Sequence, residues 1–512
     1  MLFSAGLNIK YVLFVLLVLG GSFAVERFSN PRRELYSMAM LAVAGSIFIY
    51  TVFPNIFVDD TGFVIRYMNM AREGCFYCYN ASDGPVFGVS SFLYGLATMG
   101  LAMTNIASNE SIIIGLNFLG LLVSLFVLAR TFLKLTSSVF LSVSGVAFIV
   151  LASTRFLFSS TAGLETNFHL AIVLTGIYFF VSDNRKWMWL FFGLSVISKL
   201  DTVPLITILS AIHLFENRKD YFGKSWLKNW LVGVLYAGVP IVAFLAITFM
   251  LFDGPLPQSA YAKLYHHSHP STHWFPFLEL MMDKGNRTSL FLTSLSFPLI
   301  HLTISLFRNT FKLHDFFFIL GFAATMLLFY FYNPVERMVW YYALPELLLF
   351  SQLMFSVVWL IRQTMEIKTE RLRTGSYALI FSALCIAAVP MTMGEKQWMD
   401  RYLTTVELER LEIGNFISEF PASDSLVSAH GHFGANYGGY ILDVSGLNSK
   451  LATDFELNTD SILKMFKPRY LINHANSATL DAVRNNGYSA LREWNAVEEY
   501  GYPKWVLYER QD

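Results

Sequence analysis

Hydrophobic positions in this chain gather into long runs. They lie near 9–25, 36–55, 110–130, 136–154, 167–182, 187–215, 229–252, 289–307, 316–332, 340–361 and 375–394. Runs such as Asn229–Phe252 and Thr374–Gly394 reach the roughly 20 residues that an α-helix needs to cross a bilayer. The run 187–215 is too long for one crossing and is interrupted by Lys199-Leu200-Asp201, so it reads as two short helices that turn at that charged spot. The pattern therefore predicts about twelve crossings. After about residue 395 charges become frequent and the apolar runs shorten. Ser425–Ala429, Tyr440–Val444, Tyr470–Ile472 and Trp505–Tyr508 read as short strands, and Leu403–Phe420 as an amphipathic helix stopped before Pro421. The expected architecture is an α-helical polytopic membrane domain over 1–394 and a small C-terminal α/β domain over 395–512, long enough for its own core.

Composition agrees with a membrane class. The 512 residues are 54% hydrophobic and only 14% charged, where a soluble protein would carry about a quarter charged residues. A formal net charge of zero gives no reason to expect a nucleic-acid partner. The first apolar run lacks a convincing small-residue cleavage site and reads as a signal anchor. The three cysteines are Cys75, Cys78 and Cys385. Cys385 lies in an apolar run and reads as inert. Cys75-Phe76-Tyr77-Cys78 suits a small loop-stiffening disulfide or two free thiols, and one such pair cannot complete a zinc site alone.

Positive charge orients the crossings. Arg27, Arg32, Arg33, Arg130, Lys134, Arg185, Lys186, Arg218, Lys219, Lys224, Lys228, Arg308, Lys312 and the basic stretch from Arg362 to Arg373 all fall on one, cytoplasmic, side if the segment 84–104 stays at the surface rather than crossing. The opposite face then receives the loop 57–109, the long loop 253–288 and the whole tail.

That outer face collects the unusual residues. Asp59 and Asp60 stand adjacent where a membrane helix ends. Two neighbouring acids repel, cost desolvation energy if buried and suit chemistry better than packing. Asp59, Phe63, Arg66 and Met70 fall at helical spacing, so a helix starting at the acids puts a carboxylate and a cation on one face about two turns apart, a base beside an anion clamp. The simpler alternative is an N-terminal cap. Glu165 opens another helix, where helix-start electrostatics would also suit it. Lys199 and Asp201 could neutralise each other or hold substrate. Lys263 follows a rigid Pro/Gly turn and could hold a phosphate. Arg337 stands beside Trp340 and Tyr341, an arrangement shared by binding sites and interfacial belts. His266, His267 and His269 read as a solvated loop, and His430 and His432 as surface histidines. No phosphate-binding glycine loop, Ser-His-Asp motif or His-Glu-x-x-His helix is present.

The stretch Asp59-Asp60-Thr61-Gly62-Phe63-Val64-Ile65-Arg66-Tyr67 resembles the first-loop signature of GT-C fold glycosyltransferases, in the branch of arabinofuranosyltransferase-like membrane proteins. Gly88-Val89-Ser90-Ser91-Phe92-Leu93, Gly163-Leu164-Glu165-Thr166, Lys199-Leu200-Asp201, Gly254-Pro255-Leu256-Pro257-Gln258 through Lys263, and Asp443-Val444-Ser445-Gly446-Leu447 follow in the family's order. Lys199 stands where the family usually has arginine and Gln258 where it has asparagine. The resemblance implies a multi-pass protein of a bacterial inner membrane that moves a sugar from a polyprenyl-phosphate donor to a glycan, lipid or protein acceptor on the outer face. Asp59 or Asp60 would act as base. Arg66, Lys263 or Arg337 would meet the donor phosphate, and Glu165, Lys199, Asp201, Trp340 and Tyr341 would complete the donor site. A divalent cation could bridge the acids and the phosphate, but nothing in the sequence requires one. The rival readings are a transporter or flippase, against which the absence of an internal repeat argues, and a non-catalytic polysaccharide-assembly protein.

Overall fold

The computed structural model describes residues 31–53, 56–223, 226–252, 254–266, 285–332, 339–364, 380, 383–385, 388–389, 392–394, 396–428, 431–449, 452, 458–475, 477–495 and 504–511. The expected signal anchor near 9–25, Arg337, most of the run 375–394, His267, His269 and His430 lie outside them, as do the side chains of Lys263, His266 and Trp340.

Among the described residues five helices are long and apolar enough to cross a membrane: Glu34–Val52, Asn109–Thr136, Trp226–Phe252, Thr288–Phe307 and Ala343–Gln363. A sixth crossing forms if the bent pair Val139–Ala152 and Thr154–Thr161 is one span, and Phe92–Met103, Thr166–Val181 and Leu313–Phe329 are shorter apolar helices. The described helices thus do not establish the expected twelve crossings, because several apolar runs form short or broken helices rather than full spans. The run 187–215 divides as expected, into Arg185–Ser198, a 3-10 turn Leu200–Thr202 and Val203–Glu216, with Pro204 at the start of the second helix where its missing N–H costs nothing. The surface segment contains Phe92–Met103, at 12 residues too short to span.

The helices pack by depth. Ala343–Gln363 is 94% buried over its apolar window, whereas Trp226–Phe252 is 11% buried and presents its side chains outward, as a lipid-facing helix would. The first bundle core joins Phe48, Leu121, Phe132, Phe148, Leu174 and Leu348. At Ser153 the chain bends by 78°. A break at such depth frees backbone N–H groups that need acceptors. Glu346, 2% exposed, supplies one, its Oε2 accepting the Arg155 N–H at 2.9 Å.

The tail folds into a five-stranded sheet. Its strands are β1 (Ser425–Ser428), β2 (Tyr440–Asp443), β3 (Tyr470–His474), β4 (Tyr488–Glu493) and β5 (Trp505–Arg510), ordered β2-β1-β3-β5-β4. β1 pairs in parallel with β2 and β3, and β5 pairs antiparallel with β3 and β4. The helix Leu408–Ser418, preceded by a π-helical turn Leu403–Glu407, covers one face. The tail is not a separate bead on the bundle. A single hydrophobic cluster contains Phe63, Tyr67, Tyr77, Phe87 and Phe92 from the first loop together with Ile413, Leu426, Phe433, Ile441 and Trp505 from the tail. A smaller cluster fills the other side of the sheet, around Val427, Ile462, Leu471 and Val506.

Candidate active site

Asp59 and Asp60 are the first two residues of the helix Asp59–Arg72, and both are half-buried. The helix start is held by the turn that precedes Glu165. Val58 N–H donates to Ala162 O at 3.1 Å and the Thr61 hydroxyl donates to the same carbonyl at 3.0 Å. Gly163 follows at φ +80, a left-handed conformation that a side chain would strain and that carries the chain sharply round into Glu165. Two motifs about a hundred residues apart in sequence therefore meet at their backbones.

Glu165 faces a lysine. Lys199 Nζ lies 3.1 Å from Glu165 Oε1 and 3.8 Å from Asp201 Oδ2, with side chains 9%, 10% and 24% exposed in that order. The Ser90 hydroxyl donates to Glu165 Oε1 at 3.3 Å, which brings the surface segment into the same cluster. Lys199 also stands 4.9 Å from the centre of the Tyr341 ring, a cation–π arrangement. Lys199, Asp201, His169, Thr325, Phe329 and Tyr341 line a small cleft that is partly open to solvent. The loop carrying Gln258 is tied to the surface segment, its N–H donating to Phe87 O at 2.6 Å, and leads directly into the helix Gln258–His266 on which Lys263 lies.

Arg66 behaves differently from its expected role as a phosphate clamp. It is 2% exposed. Its Nε donates to Tyr79 O at 2.9 Å, Nη2 to Gly439 O at 2.8 Å and to Asn80 Oδ1 at 3.2 Å, and Nη1 to Tyr437 O. A guanidinium surrounded by neutral acceptors from the first loop and the tail is a structural rivet. Asp59 and Arg66 share one helix as their spacing predicts, but the Arg66 side chain is directed into the tail domain.

His432, expected at the surface, lies inside the protein. Its side chain is fully buried. Nε2 lies 3.1 Å from Phe57 O and 3.4 Å from Glu407 Oε2, and Glu407 in turn pairs with Arg410 Nη1 and the Tyr402 hydroxyl, both at 2.8 Å. Burial, the largest influence, pushes the imidazole pKa down, but the Glu407 hydrogen bond and the charges of Asp59 and Glu407 together lift it above its ordinary value. Neither the Glu407–Arg410–His432 network nor the Arg155–Glu346 contact was visible in the sequence, because each joins residues whose local patterns are ordinary.

Cys75 and Cys78 form a disulfide, one of the two alternatives left open by the spacing. It closes the turn after the acid helix. Among the described residues no group of three His, Cys, Asp or Glu side chains is arranged to hold a metal ion.

No protein-family model matches the chain, and no curated protein matches it in sequence. Solved structures match its fold. The crystal structure of ArnT from Cupriavidus metallidurans bound to undecaprenyl phosphate aligns over 92% of this chain and 97% of its own, with a TM-score of 0.58 and 12% identity. The chain has the ArnT fold. The same ArnT in the apo state aligns over 92% of this chain and 96% of its own, with a TM-score of 0.56 and 11% identity. The expected GT-C architecture, an apolar helical bundle capped by a small mixed-sheet domain, is therefore the architecture observed. At such identity the likeness to ArnT is one of backbone, and the chemistry has to be argued from this chain's own side chains.

Proposed function

We propose that this protein is an inverting glycosyltransferase that takes a sugar from a polyprenyl-phosphate donor. The observation that carries the reading is that the start of the acid helix is bonded to the turn leading into Glu165, which pairs with Lys199 beside Asp201, on a fold in which ArnT was crystallised with undecaprenyl phosphate. The acceptor hydroxyl loses its proton to Asp59 or Asp60 and attacks the anomeric carbon. The bond from that carbon to the phosphate oxygen breaks, and the electron pair leaves with the polyprenyl phosphate. One displacement inverts the anomeric centre.

With Arg66 committed to the tail, the cations left for the phosphate are Lys199, Lys263 and Arg337. Lys199 is shared between two carboxylates, so it suits a position between phosphate and sugar, where Glu165 and Asp201 accept hydrogen bonds from sugar hydroxyls and Tyr341 supplies a ring face. Any divalent cation would be held by Asp59 and Asp60 together with donor phosphate oxygens. The sequence resemblance points to arabinofuranose as the sugar and to a cell-envelope glycan, lipid or protein as acceptor. The site and the tail face the outside of a bacterial inner membrane, which the placement of basic residues on the other side and the disulfide Cys75–Cys78 both support.

The test is incubation of the purified protein with a panel of labelled polyprenyl-phosphate sugars and identification of the product. Asp59→Asn and Asp60→Asn are compared in parallel. Loss of the essential base lowers turnover by about 10²–10⁴-fold, with donor binding and thermal unfolding unchanged. A protein that transfers none of the sugars, or whose double Asn variant keeps full turnover, is not this enzyme.

A further inference from the structure

The cleft beside Lys199 has one wall to which the reaction above gives no task. Thr166, His169 and Leu170 lie at i, i+3 and i+4 on the helix Thr166–Val181, so they share one face, and all three line the cleft. Thr166 and His169 are each 4% exposed. The imidazole is fixed through Nδ1, 3.1 Å from the Ser198 hydroxyl, and Ser198 is not part of the cleft wall. Its other nitrogen, Nε2, meets no hydrogen-bond partner among the described residues, and neither does the Thr166 hydroxyl. Elsewhere on the wall the Thr325 hydroxyl is already engaged, donating to Gly321 O at 2.9 Å, and Phe329 offers only a ring. Two buried polar groups on one helix face, each without a partner, cost the fold stability. Their place on a cleft wall explains why the cost is borne: a ligand group can meet both.

We infer that Thr166 and His169 form a specificity subsite for one hydroxyl of the donor sugar. The inference rests on the transferase reading above and narrows the substrate class to sugars with a hydroxyl, rather than a hydrogen, at the position that enters the cleft. The cleft is small, so it admits a substituent and not a whole ring. Lys199, Asp201 and Tyr341 line it too, so a sugar held by those groups brings a substituent next to Thr166 and His169. A sugar hydroxyl both donates and accepts. The Thr166 hydroxyl does the same, and a neutral imidazole donates from Nε2 in one tautomer and accepts there in the other. One sugar hydroxyl therefore satisfies both protein groups. A deoxy sugar leaves both unmet inside the site, and sites built to bond a hydroxyl reject analogues that lack it far more strongly than apolar pockets reject a missing methylene.

The test uses labelled undecaprenyl-phosphate pentoses and hexoses to find the donor that wild type accepts, then measures kcat/KM for that donor and for each of its monodeoxy analogues. Wild type is expected to lose about a hundredfold or more with one analogue. Thr166→Val keeps the side-chain shape and removes the hydroxyl, and His169→Leu removes the ring nitrogens. Each is expected to lower kcat/KM for the full donor by roughly ten- to a hundredfold while leaving that one analogue within about threefold, so that the discrimination collapses. Thr166→Ser, which keeps a hydroxyl, is expected to retain it. A purely structural role would slow donor and analogue alike. A wild type that treats all the analogues as it treats the donor overturns the inference, and so does an unchanged ratio in Thr166→Val, or in His169→Leu where that variant folds. Independently of turnover, Thr166→Val is expected to unfold at or above the wild-type temperature, because it deletes a polar group with no partner in the fold. A melting temperature lower by several degrees means that the hydroxyl is bonded within the protein and overturns the inference as well. A wild type that transfers none of the sugars overturns the transferase reading and this inference with it, whereas transfer with undiminished discrimination in the variants overturns this inference alone.

Discussion

Arg66 shows how one residue type can be read in two ways. A lone arginine two turns from a carboxylate suggests anion binding, yet here the fork is enclosed by Tyr79 O, Gly439 O, Tyr437 O and Asn80 Oδ1. Replacing it by lysine keeps the charge and removes the fork. Arg66→Lys is therefore expected to destabilise the protein by about 1–3 kcal/mol, the cost of leaving buried carbonyls unmet, with tail-domain protease resistance falling and donor affinity unchanged in titration. Lys199 is the contrasting case. It holds Glu165 and Asp201 together, and both Lys199 and Glu165 are about nine-tenths buried. Lys199→Ala leaves uncompensated carboxylates, which typically costs about 3–5 kcal/mol. It should lower both the melting temperature and turnover, and Glu165→Gln with Lys199→Met should restore the first without the second.

Elements here are positioned by where helices break. The 78° bend at Ser153 redirects the chain into Thr154–Thr161, which runs on into the turn before Gly163 and Glu165, and Glu346 caps the freed Arg155 N–H from a helix almost two hundred residues away. Glu346→Leu keeps the volume nearly constant but removes the acceptor. An unsatisfied buried N–H costs about 1–3 kcal/mol, so detergent-solubilised variant should unfold at a lower temperature than wild type. The acid helix and the tail meet through Gly62 and Gly431. Gly62→Ala cannot be accommodated by a side-chain rotation because the overlapped atoms are backbone. It should loosen the tail, seen as faster hydrogen exchange across Phe63–Tyr67 and Gly431–Gly434, and an exchange pattern equal to wild type would refute the close approach.

At the scale of the molecule, His432 links the tail to the bundle in a pH-dependent way. Its folded pKa is raised above the ordinary 6.5. The imidazolium therefore contributes stability that is fully present below the unfolded value and is lost as pH rises through the folded one. Melting temperatures taken from about pH 5 to about pH 9 should show wild type exceeding His432→Gln most at the acid end, with the difference shrinking as pH rises. A difference independent of pH would mean that the ring acts by packing alone. The predicted orientation has its own measurement: a cysteine introduced at the exposed Ser423 of the tail should react with a membrane-impermeant maleimide in intact cells, and protection until the membrane is opened would reverse the topology.

The sequence by itself determined the class and the presence of a strand-bearing tail, because these follow from local properties: apolar length against bilayer thickness and strand alternation in the tail. Four of the five strands were legible for that reason. β4, Tyr488–Glu493, was not, since only Tyr488 among its residues is buried and its composition has no strand signature. Tertiary structure alone decided which charged residues meet. Glu165 finds Lys199, Arg66 turns away into the tail, and His432, an ordinary histidine in sequence, becomes a buried link to Asp59. Long-range pairing depends on how far helices bend and how closely backbones approach, and neither quantity is written in the spacing of residues along a chain.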